Sequence, residues 1–292
     1  MKDRSVYDWA AFGQANYTYS SLSLLLGIRY NENELFGGHV STRGTLVYEL
    51  NNKNSLKLVY GTSYRSPSLF ELYFQTSSNT VFGNINLEPE ESNSLELSYL
   101  TSFSNFFVQA LVYRASYTNK IFRTLGDFTV PDGTPYTNVS YYTNGGEFNA
   151  TGAEIEIKYQ GPSDLNAFLN YSYIDGDNGD EVNNNGHYNF RYVPEHTLTA
   201  GLAKSFGNFS VSGLVNYQSE RSAPISELAA QTTLDLNIGY KHKVMYFNLR
   251  HNISIKNVFD ELVLFPEYVG RNINSVPSGF GRQILYSLHL EF

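Results

Sequence analysis

Alternation with a period of two runs along most of this chain and narrows its fold more than any other feature. Leu22, Leu24, Leu26, Ile28 and Tyr30 are apolar, with Ser23, Gly27 and Arg29 between them. Ile155, Ile157 and Tyr159 alternate with Glu154, Glu156 and Lys158, and Leu234, Leu236, Ile238 and Tyr240 with Asp235, Asn237 and Gly239. Leu165, Ala167, Leu169, Tyr171 and Tyr173 keep the same beat. Such spacing makes strands with one apolar and one polar face. A sandwich turns its apolar faces toward each other. A membrane barrel turns them toward lipid and keeps its polar face for a wet lumen. Alternation alone fits both.

Connection length separates the two. Strands are expected near 5–17, 22–32, 38–50, 55–65, 91–102, 106–118, 148–159, 165–175, 196–206, 209–219, 232–241, 245–257 and 282–292. Short links at 18–21, 51–54, 101–105, 161–164, 207–208 and 241–244 alternate with longer ones at 33–37, 66–90, 119–147, 176–195, 220–231 and 258–281. Short turns on one rim and long loops on the other are the pattern of outer-membrane barrels. Tyrosines gather at the strand ends, among them Tyr17, Tyr19, Tyr30, Tyr60, Tyr117, Tyr159, Tyr217 and Tyr240, as interfacial girdles require. The expected fold is all-β, an antiparallel transmembrane β-barrel.

Composition agrees. Charged residues are 16% and aromatics 15%, with 24 Tyr and 20 Phe, yet mean hydropathy is −0.32. No segment approaches the roughly 20 apolar residues of a spanning helix. The formal charge of −8 comes without a basic run, which argues against nucleic-acid binding. Cysteine is absent, so thiol catalysis, disulfides and Cys-zinc sites are excluded. No apolar stretch of signal-peptide type follows Met1-Lys2-Asp3-Arg4. Thirteen strands are an odd number for a bacterial barrel, and an open sheet leaves unpaired edges in lipid. The chain is therefore expected to be one piece of a larger barrel.

Four motifs lie along the chain in order. Arg65-Ser66-Pro67-Ser68-Leu69-Phe70-Glu71-Leu72-Tyr73 follows the fourth strand, and Gly83-Asn84-Ile85-Asn86-Leu87-Glu88-Pro89-Glu90-Glu91-Ser92 leads into the fifth. Tyr192-Val193-Pro194-Glu195-His196-Thr197-Leu198 opens a later strand, and Asn257-Val258-Phe259-Asp260 closes the penultimate one. Each has a local physical reason. Ser66-Pro67 bars further pairing of the strand before it, and Gly83-Asn84 is a turn dipeptide. On these grounds alone the motifs read as rim architecture.

Taken together they resemble the TonB-dependent outer-membrane receptors, whose barrels carry R-x-P-x-x-x-E-L-Y and G-N-x-x-L-x-P-E-x-S segments. The resemblance implies a 22-stranded barrel, of which residues 1–292 would be the C-terminal thirteen or so strands. It implies uptake of a scarce nutrient such as a ferric siderophore, haem or cobalamin, driven through the TonB complex, and residence in the outer membrane of a Gram-negative bacterium. The plug domain, the TonB-binding segment and the signal peptide of the family are not seen in this chain. Ile284, Tyr286, Leu288, Leu290 and Phe292 resemble the terminal strand by which the barrel-assembly machinery recognises its clients.

For ligand contact the long loops are the place to look. Arg65, Glu71 and Tyr73, then Tyr141, Tyr142 and His187, and finally Tyr268 and Arg271 combine flat contact area with polar tips. No cofactor is expected. The six histidines, His39, His187, His196, His242, His251 and His289, include no i, i+2 pair that would share one strand face as metal ligands. Asp175 to Gly186 is acidic, but an EF-hand needs Gly and Glu where Asp180 and Gly186 stand. No Gly-x-Ser-x-Gly occurs and no catalytic constellation is visible, so an enzyme is not expected; a passive porin-like channel is the main alternative.

Overall fold

A computed structural model of the chain describes residues 5–162, 164–177, 193–222, 227–266, 275–277 and 279–291. In chain order the elements begin with β1 (Asp8–Tyr19), β2 (Leu22–Asn33), β3 (Gly37–Asn51) and β4 (Asn54–Arg65). A short helix, α1 (Leu69–Tyr73), and β5 (Val81–Phe82) precede β6 (Glu90–Phe103) and β7 (Phe106–Thr118). Next come β8 (Ile121–Thr129), β9 (Pro135–Asn144), β10 (Phe148–Gln160), β11 (Asn166–Asp177), β12 (His196–Phe206) and β13 (Phe209–Gln218). The chain ends in β14 (Gln231–Val244), β15 (Phe247–Lys256), β16 (Leu264–Pro266), β17 (Ser275–Pro277) and β18 (Gln283–Glu291).

Thirteen of these form one antiparallel meander in the order β1-β2-β3-β4-β6-β7-β10-β11-β12-β13-β14-β15-β18. These are the thirteen expected strands. Cross-strand register aligns their apolar residues into continuous rows. One row runs Tyr17, Leu24, Leu46, Leu58, Leu97, Val112 and Ala153, and another Ala167, Leu202, Gly213, Leu236, Ile255 and Ile284. Many of these side chains stand open, Leu97 by 46% and Leu202 by 56%, which in water would be a liability and in lipid is the stable arrangement. The opposite face is polar: Gln109, Glu156, Asn170, Thr199, Asn216 and Thr233 make one row of it.

Aromatic pairs mark the short-turn rim. Phe106 meets Phe103 at 5.3 Å and Tyr159 at 4.6 Å between ring centroids, and Phe209 meets Tyr240 at 4.6 Å. Tight turns need a left-handed residue, supplied by Gly207 at φ 59° and by Ser20 and Ser104. Among the described residues β1 and β18 do not pair with each other, so the sheet has two open edges.

The loops differ from the sequence expectation in three places. The 33–37 link is not long: Gly37 at φ 70° closes a tight turn between β2 and β3. The turn expected at 241–244 falls instead at Met245 and Tyr246, because β14 continues to Val244 and pairs there with Phe247. The 119–147 loop is a hairpin, β8 and β9, to which β5 adds as a parallel third strand.

Candidate functional site at the long-loop rim

Pro67 ends β4, and Ser68 immediately caps a new helix. The Ser68 hydroxyl accepts from the Glu71 N–H at 3.2 Å, while a Glu71 carboxylate oxygen accepts from the Ser68 N–H at 2.7 Å. This reciprocal capping box fixes α1 against the strand it leaves. The same carboxylate faces Arg65, whose two terminal nitrogens donate to Glu71 at 3.0 and 3.2 Å. Arg65 also donates to Glu90 from Nε at 2.6 Å and from a terminal nitrogen at 2.8 Å. Glu90 in turn accepts from the Ile121 N–H at 2.7 Å. One guanidinium thereby ties β4, α1, β6 and the start of β8 together. Burial alone would push the Glu71 carboxyl up, but hydrogen bonds from Arg65 and Ser68 outweigh it and hold the group below the usual carboxylate range.

Behind this clamp lies a small apolar core of Leu72, Leu87 and Ile121, with Phe36, Leu69, Tyr73 and Tyr142 packed against it. Phe82 is fully buried beside Tyr136 and Phe128. Gly83 permits the approach, because a Cβ there would meet the Leu72 carbonyl carbon at 2.6 Å. Asn144 stitches three segments: its amide donates to the Glu88 and Asn119 carbonyls at 2.8 Å each, and its oxygen accepts from the Glu88 N–H at 2.7 Å. Asn84 donates to the Tyr142 carbonyl at 3.0 Å.

Of the residues expected to meet a ligand, Arg65, Glu71, Tyr73 and Tyr142 come together in this cap. Tyr142 also lies edge-on to Phe70 at 6.3 Å, and Tyr141 stacks on Phe128 at 4.7 Å. Arg65 remains 47% exposed at its side chain even though its donors are engaged. His187, Tyr268 and Arg271 lie outside the described residues, as do Phe292 and the 178–186 part of the acidic segment. Tyr286, Leu288 and Leu290 stand exposed on one face of β18. Sequence reading passed over Glu90, although it stood inside a quoted motif, and over Asn144, for which nothing in the sequence gave a signal.

The other motifs serve the same rim. Asn257, buried and at φ 49°, donates its N–H to Asp235 at 2.8 Å, and its side chain pairs with both backbone groups of Glu261. His196 hydrogen-bonds Tyr171 at 2.8 Å, and its N–H donates to the Ser219 hydroxyl. On the polar inner wall a groove of about 350 Å³ is lined by Gln109, Glu154, Glu156, Asn170, Thr197 and Thr199. Among the described residues no group of three or more His, Asp or Glu is placed to hold a metal ion.

An antiparallel wall with an apolar outer face, a polar inner face and structured loops on one rim defines an outer-membrane barrel protein. The sequence matches the family of TonB dependent receptor-like beta-barrels over residues 1–258, and the chain belongs to that family. It is 23% identical over 279 residues to the iron-regulated outer membrane virulence protein of Vibrio cholerae, covering 89% of this chain and 42% of that protein. Over 102 residues it is 29% identical to the vitamin B12 transporter BtuB of Vibrio cholerae, covering 35% of this chain and 16% of that one.

Solved structures agree in fold. The ferric enterobactin receptor of Pseudomonas aeruginosa in complex with enterobactin superimposes with a TM-score of 0.74 at 18% identity, covering 98% of this chain and 46% of that one. The siderophore receptor PirA of Acinetobacter baumannii gives 0.72 at 17%, covering 97% and 45%. The chain spans less than half the length of these proteins. The matched family is one of TonB dependent receptor-like barrels, and these relatives are named as receptors and a transporter rather than as enzymes.

Proposed function

We propose that residues 1–292 are the C-terminal wall of a 22-stranded, plug-filled barrel that imports a scarce nutrient by TonB-coupled transport. A ferric siderophore, haem or cobalamin is the expected cargo. The observation that carries this reading is the cap built by Arg65, Glu71 and Glu90. It holds aromatic side chains in fixed positions above a polar inner wall, on the rim that faces outward in such barrels. The names of the relatives, siderophore receptors and a vitamin B12 transporter, point the same way.

In this reading Tyr73, Tyr141 and Tyr142 meet the cargo together with His187, Tyr268 and Arg271, while Arg65 and Glu71 act mainly by holding the cap. The TonB complex engages the N-terminal part of the same protein, and the barrel-assembly machinery reads β18 through Phe292. Growth of a receptor-deleted strain carrying the full-length gene, on single iron-chelate, haem or cobalamin sources, is the test. Growth on one source that disappears when tonB is deleted is expected. Growth that persists without TonB would replace this reading with a passive channel.

A further inference from the structure

Two histidines nine residues apart in the sequence become neighbours across the β14–β15 hairpin. His242 pairs with Leu249 and His251 with Tyr240, so the two imidazoles sit diagonally on the same, outward face of the sheet. Their rings lie 5.1 Å apart and almost parallel, with an interplanar angle of 9°. Tyr240 stacks on His242 at 5.3 Å. The Nδ1 atom of His251 is hydrogen-bonded to the Tyr286 hydroxyl at 2.7 Å, and the Nδ1 of His242 is buried without a partner. With Nδ1 of His251 engaged and Nδ1 of His242 enclosed, Nε2 is the ring nitrogen that each has left for a ligand. The Met245–Tyr246 turn lies only three residues beyond His242, so the pair sits toward the short-turn rim rather than at the middle of the wall.

We infer that His242 and His251 form a two-imidazole site for a borderline divalent transition-metal ion, completed by water. Two nitrogens that share one such ion lie at most about 4 Å apart, given metal–nitrogen bonds of about 2.1 Å. With ring centroids 5.1 Å apart, the two imidazoles are close enough for one nitrogen of each to reach a shared ion. Tyr286 plays the outer-shell part. In this assignment the Tyr286 oxygen accepts from Nδ1–H, the tautomer that leaves the Nε2 lone pair for the metal. Imidazole donors with no thiolate and no carboxylate in the pair favour Cu(II), then Ni(II) and Zn(II), over Mg(II) or Ca(II). This site lies at the opposite rim from the cap and does not depend on what the barrel imports.

The test is Cu(II) titration of the purified full-length receptor in detergent, followed by electron paramagnetic resonance. The expected result is one tight Cu(II) per chain, its spectrum showing two coordinated imidazole nitrogens. Tyr286→Phe should weaken it by about tenfold, the effect of losing an outer-shell partner, and His242→Ala or His251→Ala by more. Heat-modifiable gel mobility shows that each variant keeps its barrel. A parent spectrum with a single nitrogen, or unchanged affinity in folded His242→Ala and His251→Ala variants, would overturn the assignment.

Discussion

Arg65 answers two carboxylates at once, and the consequences are local. Its fork spans Glu71 and Glu90, which are only 15% and 21% exposed at their side chains. Arg65→Ala would leave both without their cation, at a cost to the cap of about 1–2 kcal/mol, well below a fully buried pair because the guanidinium itself is half open to water. Limited proteolysis should then cut within 66–90 while the barrel strands stay protected. Arg65→Lys should rescue only part, since one ammonium cannot fork to both partners. The Glu71 carboxyl is held below its usual range, so its share of stability is complete above about pH 4.5, the unfolded value. That share is lost as pH falls through the lower folded value. Cap protection should therefore persist at pH 5 and fade only at stronger acidity. Protection lost already near pH 6 would remove Glu71 from this role. Asn144→Ala deletes three hydrogen bonds to loop backbone, one of them part-buried, and should cost about 1–2 kcal/mol, read in the same assay.

Strands and loops obey different rules in this chain. Each strand of the meander needs only a period of two, and its stability is tied to the solvent on its apolar face. Leu97 lies mid-strand in β6 between Leu58 and Val112, so Leu97→Arg puts a cation in the lipid-facing band. About 2–4 kcal/mol is expected there at mid-bilayer depth. The midpoint of urea unfolding in lipid vesicles measures it, and Gln109→Arg on the polar inner wall is the control. Loop elements depend on single residues instead: Pro67 to stop β4, Ser68 and Glu71 to cap α1, and Gly83 to let the chain pass Leu72. Gly83→Val should open the cap and leave the thirteen-strand sheet intact, as judged by unchanged far-ultraviolet circular dichroism and new proteolysis near residue 83.

At the scale of the whole molecule the sheet is unfinished. β1 and β18 each present backbone groups that nothing pairs among the described residues, and lipid offers them no hydrogen bond. Residues 1–292 expressed alone should therefore fail to give the heat-modifiable, compact band of a closed barrel, and a longer chain supplying the missing strands should restore it. A compact, protease-resistant 1–292 barrel in vesicles would contradict this.

The range of the forces explains why some of this was legible in sequence and some was not. All thirteen wall strands could be read because alternation is imposed by the bilayer, residue by residue, and survives without knowing any partner. The two rims were legible for the same reason, since hairpin turns and long loops differ in length. The clamp was half visible: Arg65, Glu71 and Glu90 stood in the motifs, but their convergence needs β4, α1 and β6 in register. The Met245–Tyr246 turn is set by the pairing of Val244 with Phe247, whereas Asn144 and the packing of the β8–β9 hairpin beside β5 depend on contacts between distant segments. So does the meeting of His242 with His251, because spacing along one strand says nothing about the strand beside it. The sequence alone determined a lipid-facing antiparallel wall, since a period of two acts locally and the alternation of short and long connections tells a membrane barrel from a sandwich; tertiary structure decided which polar side chains meet, since register is set by neighbouring strands.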